Sequence, residues 1–197
     1  QSHGVNYNDL NLRWSVPASN LPSAAYYKPE DQFSGFGGGI ASFAVAMQVP
    51  SDMVSNYAQT HRISRVSFMP RNAEAIYTIK VSVNGQEVSS KTIADNSTLR
   101  LNEHNIIDLD TPAQFDADDQ VRVIVEVNAD NFTAQSNNVI GMVYGKVTPG
   151  YSDLCRQISE PEFYSMSERA VEQGMGEMPM TWAIAAIFST VDENGTP

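Results

Sequence analysis

Cysteine occurs once in the 197 residues, as Cys155. A lone thiol excludes an intramolecular disulfide and cannot build a cysteine-based zinc or iron–sulfur centre. Basic residues are also scarce: 12 Lys plus Arg stand against 23 Asp plus Glu, and the resulting net charge of -11 repels phosphate backbones and anionic lipid surfaces. Nucleic acid is therefore not an expected partner. No apolar run approaches the roughly 20 residues of a membrane-spanning helix, so no transmembrane segment is expected. The chain opens on polar Gln1, Ser2, His3 and Gly4 instead of the basic and then apolar pattern of a signal peptide.

Local catalytic signatures are missing as well. There is no Gly-x-Ser-x-Gly elbow for a nucleophilic serine. The three histidines, His3, His61 and His104, fall at the chain start, in a helix-to-strand connection and in a loop before a strand, and read as ordinary surface or turn residues. Phe36-Gly37-Gly38-Gly39 is followed by no Lys-Ser or Lys-Thr and leads into a predicted strand, so it reads as a loop and not as a phosphate cradle. Cys155 sits beside Leu154 in a predicted strand and reads as a buried structural thiol.

What the chain has in quantity is alternation. Tyr77, Ile79, Val81 and Val83 alternate with Thr78, Lys80 and Ser82 and run into Asn84-Gly85, which predicts a β-hairpin with Gln86 to Ile93 as the returning strand. Val121, Val123, Val125 and Val127 mark one face of a strand over 120–129, with Ile124 showing that its other face is partly covered. Further strands are expected over 41–49, 62–69, 105–110, 139–144, 153–159 and 182–189. One short connecting helix is expected to start at Ser51 as N-cap and to include Val54 and Tyr57. With no βαβ alternation, the pattern predicts an all-β, two-sheet antiparallel β-sandwich, best fitted by a jelly roll, although a closed barrel gives a similar pattern. Residues 1–36 are expected to be a loop or edge segment packed on the domain, 37–190 the sandwich, and 191–197 a tail or linker. Residues 161–180, which mix Glu, Met, Gly and Pro without a period, read as a second long loop.

Three sets of residues carry the functional expectations. Tyr26, Tyr27 and Phe33 offer planar faces of the kind that stack on sugars or proteins and form the candidate ligand site. Asp116, Asp118 and Asp119 supply oxygen ligands that suit a structural calcium, although the EF-hand pattern is absent. Glu126 is a carboxylate within a Val-rich strand, placed by its alternation on the more polar face, where paired acids would suit glycoside hydrolysis. Met175, Met178 and Met180, near Trp182, read mainly as packing residues.

The residues Phe43-Ala44-Val45-Ala46, Val66-Ser67-Phe68 with Pro70, Tyr77 to Val81, Leu109-Asp110-Thr111-Pro112, Ser152-Asp153-Leu154 and Trp182-Ala183-Ile184 resemble secreted β-sandwich modules of Bacteroidetes. These are cleaved-adhesin or haemagglutinin-type domains attached to gingipain-type proteases. The chain departs from them in lacking Trp-rich, Gly-rich loops before its last strand. The resemblance implies export, a place at the cell surface and an adhesion or carbohydrate-binding role, often with structural calcium. The expected function is thus a non-catalytic binding module that recognises a glycan or a surface protein through loops at one sandwich end. A glycoside hydrolase-like site assembled from distant loops and a purely structural spacer remain the alternatives.

Overall fold

The hairpin is where local chemistry dictates structure most directly. Asn84 and Gly85 hold φ of 50° and 80°, the left-handed pair that a two-residue type I′ turn requires. That turn joins Ile76–Val83 to Gln86–Ile93, with a bulge between Val81 and Ser82.

The computed structural model describes residues 23–27, 31–36, 42–128, 139–145 and 149–192. In chain order the strands are β1 (Ser23–Ala24), β2 (Phe33–Phe36), β3 (Ser42–Gln48), β4 (His61–Phe68), β5 (Ile76–Val83), β6 (Gln86–Ile93), β7 (Asn105–Ala113), β8 (Val121–Asn128), β9 (Ile140–Tyr144), β10 (Leu154–Gln157), β11 (Tyr164–Ser165), β12 (Met180–Trp182) and β13 (Ile184–Thr190). Helix α1 (Ser51–Tyr57) joins β3 to β4, and α2 (Met166–Glu172) follows β11. Among the described residues no helix is long and apolar enough to cross a membrane.

The strands form a six-stranded sheet of order β11-β10-β3-β8-β5-β6, a four-stranded sheet β1-β13-β4-β7 and a three-stranded sheet β12-β9-β2, all antiparallel. The small sheet is stitched to the four-stranded one: Ala183 N donates to Gly141 O, Gly141 N donates to Met69 O, and Pro70 bridges to Ile140. The fold is an all-β sandwich. Its inner rows follow from register, with Phe43, Val127 and Tyr77 side by side, then Cys155, Val45, Val125 and Ile79, then Met47, Val123 and Val81. Ile63, Val66, Phe68, Ile184, Ala186, Phe188 and Trp182 join them in one buried cluster. Burying side chains of this size contributes about 1.5–3 kcal/mol each, which holds the two layers together.

Several local expectations are corrected. Pro50, not Ser51, is the N-cap of α1, and no side chain caps that end; Ser51 is the first helical residue. The segment 161–180 is not simply a loop, since it holds β11 and a second helix. Ser165 caps α2 by accepting from Glu168 N at 3.1 Å, the first half of a Ser-x-x-Glu capping signal. The strand expected over 182–189 is two strands in two sheets, divided at Ala183. Trp182 is drawn to the six-stranded side, where its indole Nε1 donates to Leu154 O at 2.8 Å.

Candidate functional site

Because side chains alternate across a strand, the residues between the inner rows must line the outer face of the six-stranded sheet. There they form four rungs: Ser42, Asn128 and Ile76; Arg156, Ala44, Glu126, Thr78 and Thr92; Leu154, Ala46, Ile124, Lys80 and Ser90; and Gln48, Arg122, Ser82 and Glu87. Ala44 and Ala46 leave β3 low. Phe163, carried in just before β11, fills part of that trough and packs on Ala44, Ala46, Ile124 and Leu154. The guanidinium carbons of Arg156 and Arg122 lie 5.0 and 5.7 Å from its ring centre, so one aromatic ring is flanked by two cations.

What remains open is a groove with two lobes that meet at Glu126. One lobe, about 470 Å³, is lined by hydroxyl and amide side chains of Ser42, Thr78, Asn128, Gln157 and Ser159, with Ile76 and Ile158 as apolar walls. The other, about 530 Å³, runs from Glu126 past Lys80 and Arg122 to the hairpin turn, with Phe163 at its side. Over the six residue steps of β8 from Arg122 to Asn128 the groove spans roughly 20 Å. Ile76 and Ile158 are 44% and 39% exposed, unusual values for isoleucines beside a polar trough.

Electrostatics tie the two lobes together. Glu126 receives Lys80 Nζ at 3.0 Å on Oε2 and Arg156 Nη2 at 3.3 Å on Oε1, while Lys80 also reaches Glu87 Oε2 at 3.1 Å. Burial works against the Lys80 ammonium, but the hydrogen bonds and charges of Glu126 and Glu87 outweigh it and hold its pKa above the ordinary value. Lys80 therefore keeps its proton. Arg156 Nη1 also donates to the carbonyls of Ile158 and Glu160, at 3.1 and 2.8 Å, which fixes the 157–160 loop as one wall of the groove.

The aromatic trio expected to bind ligand is employed elsewhere. Tyr27 is 3% exposed, and its ring stacks on His104 at 5.0 Å with its hydroxyl 3.2 Å from Nδ1. Phe33 meets both rings edge-on. Together with Ile106 they cover Ala185, Ile187 and Val143 on the outer side of β13 and β9. Tyr26 donates to Gln48 O at 3.0 Å, and burial, aided by Tyr151 and Asp52, pushes its pKa up. Tyr27 is thus consumed in packing, whereas Tyr26 and Phe33 remain half-buried.

Asp116, Asp118 and Asp119 lie in the turn before β8. Asp119 accepts from Asn84 Nδ2 on Oδ1 and from Asp116 N on Oδ2, both at 2.6 Å, and so locks this turn to the hairpin. Among the described residues, no three His, Cys, Asp or Glu side chains converge as a metal site would require. His61 lies beside Tyr57 and Thr60, with a pKa lowered by burial. His3 and Gly37 to Gly39 lie outside the described residues. Cys155 is fully buried, and burial pushes its thiol up to about 11, so it is no thiolate nucleophile. Of the candidate functional residues expected from the sequence, Glu126 is the one among the described residues that lies in the groove. Lys80, Arg122, Arg156 and Phe163 were missed as a group because they come from separate strands and loops.

No family model and no curated protein matches the chain. Similar solved structures include a cysteine-to-alanine variant of the clostridial cysteine protease Cwp84 after propeptide cleavage, with 16% identity, a TM-score of 0.54 and coverage of 89% of this chain and 42% of that one. A second covers the cysteine protease and lectin-like domains of Cwp84, a surface layer associated protein of Clostridium difficile, at 12% identity and a TM-score of 0.48 over 83% of this chain and 37% of that one. The chain therefore spans less than half the length of each of these two chains, and the first likeness shows a shared fold.

Proposed function

We propose that this is a non-catalytic binding module, exported to the cell surface, that takes a glycan chain along the outer face of its six-stranded sheet. The observation that carries the reading is the two-lobed groove: a shallow trough about 20 Å long, walled by hydroxyls, amides and exposed aliphatic side chains. Sugars present hydroxyls for the first two and C–H faces for the third. The ion pairs in the groove hold it in shape without ligand, which lowers the ordering cost of binding. Export belongs to the same proposal and is supported by the resemblance of the strand residues to adhesin modules.

The jelly-roll reading belongs here too, and strand order supports it. Setting β2 and β9–β12 aside, the chain visits the layers as β1, β3, β4, β5-β6, β7, β8 and β13, giving four-strand orders β1-β13-β4-β7 and β3-β8-β5-β6. These are two interleaved Greek keys, with β9 to β12 inserted before the last strand.

A hydrolytic reading finds two carboxylates at short range, since Glu87 and Glu126 grip the same ammonium from either side. The geometry opposes it, because Lys80 Nζ lies 3.1 and 3.0 Å from the two carboxylates and occupies the space between them that a scissile bond would need. The test is a glycan array followed by titration calorimetry on the hits, with Thr78→Trp as the blocked form. Thr78 points outward from β5, so an indole there fills the trough without touching the core. Binding is expected to be lost with an unchanged melting temperature. Equal binding by Thr78→Trp would move the site elsewhere, and no hit across a broad panel would end the glycan reading.

A further inference from the structure

Within the groove the cations are unequally matched. Lys80 and Arg156 are engaged by Glu126 and Glu87, whereas Arg122, between Gln48 and Ser82 on the outer rung, has no carboxylate within ion-pair distance among the described residues. Glu162 is near enough to act on it electrostatically but makes no ion pair with it. The Arg122 guanidinium carbon lies 5.7 Å from the Phe163 ring centre, and its Nε, like that of Arg156, is buried with no acceptor; the missing carboxylate is what sets Arg122 apart. An unsatisfied buried donor is costly, and more so on a charged group. Arg122 lines this lobe beside Phe163, and a guanidinium offers a planar fork that receives a carboxylate through two parallel hydrogen bonds.

Resting on the glycan reading of the groove, we infer that Arg122 is the seat for a carboxylate on the bound chain, so that the ligand is an acidic glycan of the uronate type. The net charge of -11 sharpens the class. A densely charged polyanion is repelled by the surface as a whole, whereas a chain with an isolated carboxylate among neutral sugars gains the local contact and meets little of that repulsion. Lys80 adds positive potential at the same lobe, but its hydrogen bonds are already directed to Glu126 and Glu87. Specificity for the carboxylate therefore lies with Arg122.

The test compares a tetrasaccharide ending in glucuronic acid with its carboxyl-reduced form, in which a primary alcohol replaces the acid. The wild-type protein is expected to bind the acid form at least about tenfold more tightly, in line with a charge-assisted bidentate contact. Arg122→Gln is expected to bind both forms alike, at the affinity of the reduced one, with its fold checked by circular dichroism. Arg122→Lys keeps the charge but not the fork and is expected to lose most of the preference. Equal binding of both forms by the wild type, or a preference that survives Arg122→Gln, overturns the inference. If neither tetrasaccharide binds, the glycan array decides the wider reading, and sodium glucuronate alone decides the seat. A saturable shift of the Arg122 Nε–Hε resonance keeps it as an anion site, and no shift overturns that as well.

Discussion

Removing the Asp153 carboxylate is expected to destabilise the fold by about 3–5 kcal/mol. The residue is fully buried, and its side chain accepts from Gly150 N at 2.8 Å, Ser165 Oγ at 2.5 Å and Ser167 N at 3.2 Å. In Asp153→Ala those donors lose their acceptor at a site that water does not reach. A hydrogen bond to a charged group contributes about 1.5–3 kcal/mol net, and three that share one acceptor add to less than their sum. Asp153→Asn keeps one carbonyl oxygen and turns an amine toward donors, so a loss of about 2 kcal/mol is expected. Urea unfolding followed by tryptophan fluorescence reads the effect, because Trp182 is buried beside this junction and bonded to Leu154 O. With a slope of about 2 kcal/mol per molar, the midpoint of Asp153→Ala falls by roughly 2 M. A loss below about 1 kcal/mol would refute the reasoning, since it would mean that water or a rearranged loop replaces all three bonds. The same anchor holds β11 and the start of α2, so Asp153→Ala is also expected to loosen Phe163 over the groove.

Two further perturbations probe the sandwich. Tyr77 is fully buried; burial pushes its phenol up to about 12, opposed in part by hydrogen bonds with the backbone of Asn72 and Arg71. Its folded pKa is raised above the unfolded value near 10, so its contribution is complete below pH 10 and is lost as the pH climbs toward 12. Unfolding midpoints between pH 8 and 12 should therefore fall more steeply for the wild type than for Tyr77→Phe, and parallel curves would sink this assignment. A Cβ built on Gly141 would lie 2.7 Å from Met69 Cβ and Sδ, where the small sheet meets the end of β4. Gly141→Ala is accordingly expected to cost about 1–3 kcal/mol in chemical denaturation, and a neutral result would show that this junction has slack.

The fold was legible wherever one strand face is buried and the other wet. Val121 to Val127 and Tyr77 to Val83 alternate because β8 and β5 lie in the middle of the six-stranded sheet, with their inner faces in the core. Legibility failed where chain direction depends on a neighbour. The apolar run from Trp182 to Phe188 carries no mark at Ala183, yet there the strand leaves one sheet for another, because β9 claims Ala183 N and Ser152 claims Trp182 N. Helix α2 had a signal that was available, since Ser165 stands three residues before Glu168 ahead of Ala170 and Val171. Its period is masked by shortness, because seven residues make barely two turns.

The site was half visible, and the reason for the other half is geometric. Alternation along β8 sets Arg122, Ile124, Glu126 and Asn128 on one face, and alternation along β5 sets Thr78, Lys80 and Ser82 on one face. Only register brings Glu126 beside Thr78 and within reach of Lys80, and only the return of the chain through β10 brings Arg156 to the same carboxylate. A buried charge needs a partner, so a carboxylate in a Val-rich strand is itself a reason to search neighbouring strands for cations. The packing of Tyr27 was hidden for a related reason. β13 is apolar on both faces: Ala186 and Phe188 face the core, while Ala185 and Ile187 face outward and require a cover. Tyr27, Phe33 and His104 supply that cover, and a doubly apolar strand is thus the sequence signal that nearby loop aromatics will be consumed in packing. The sheet face left with a polar character is the outer face of β5 and β8, where Thr78, Lys80, Ser82, Arg122, Glu126 and Asn128 alternate with core residues.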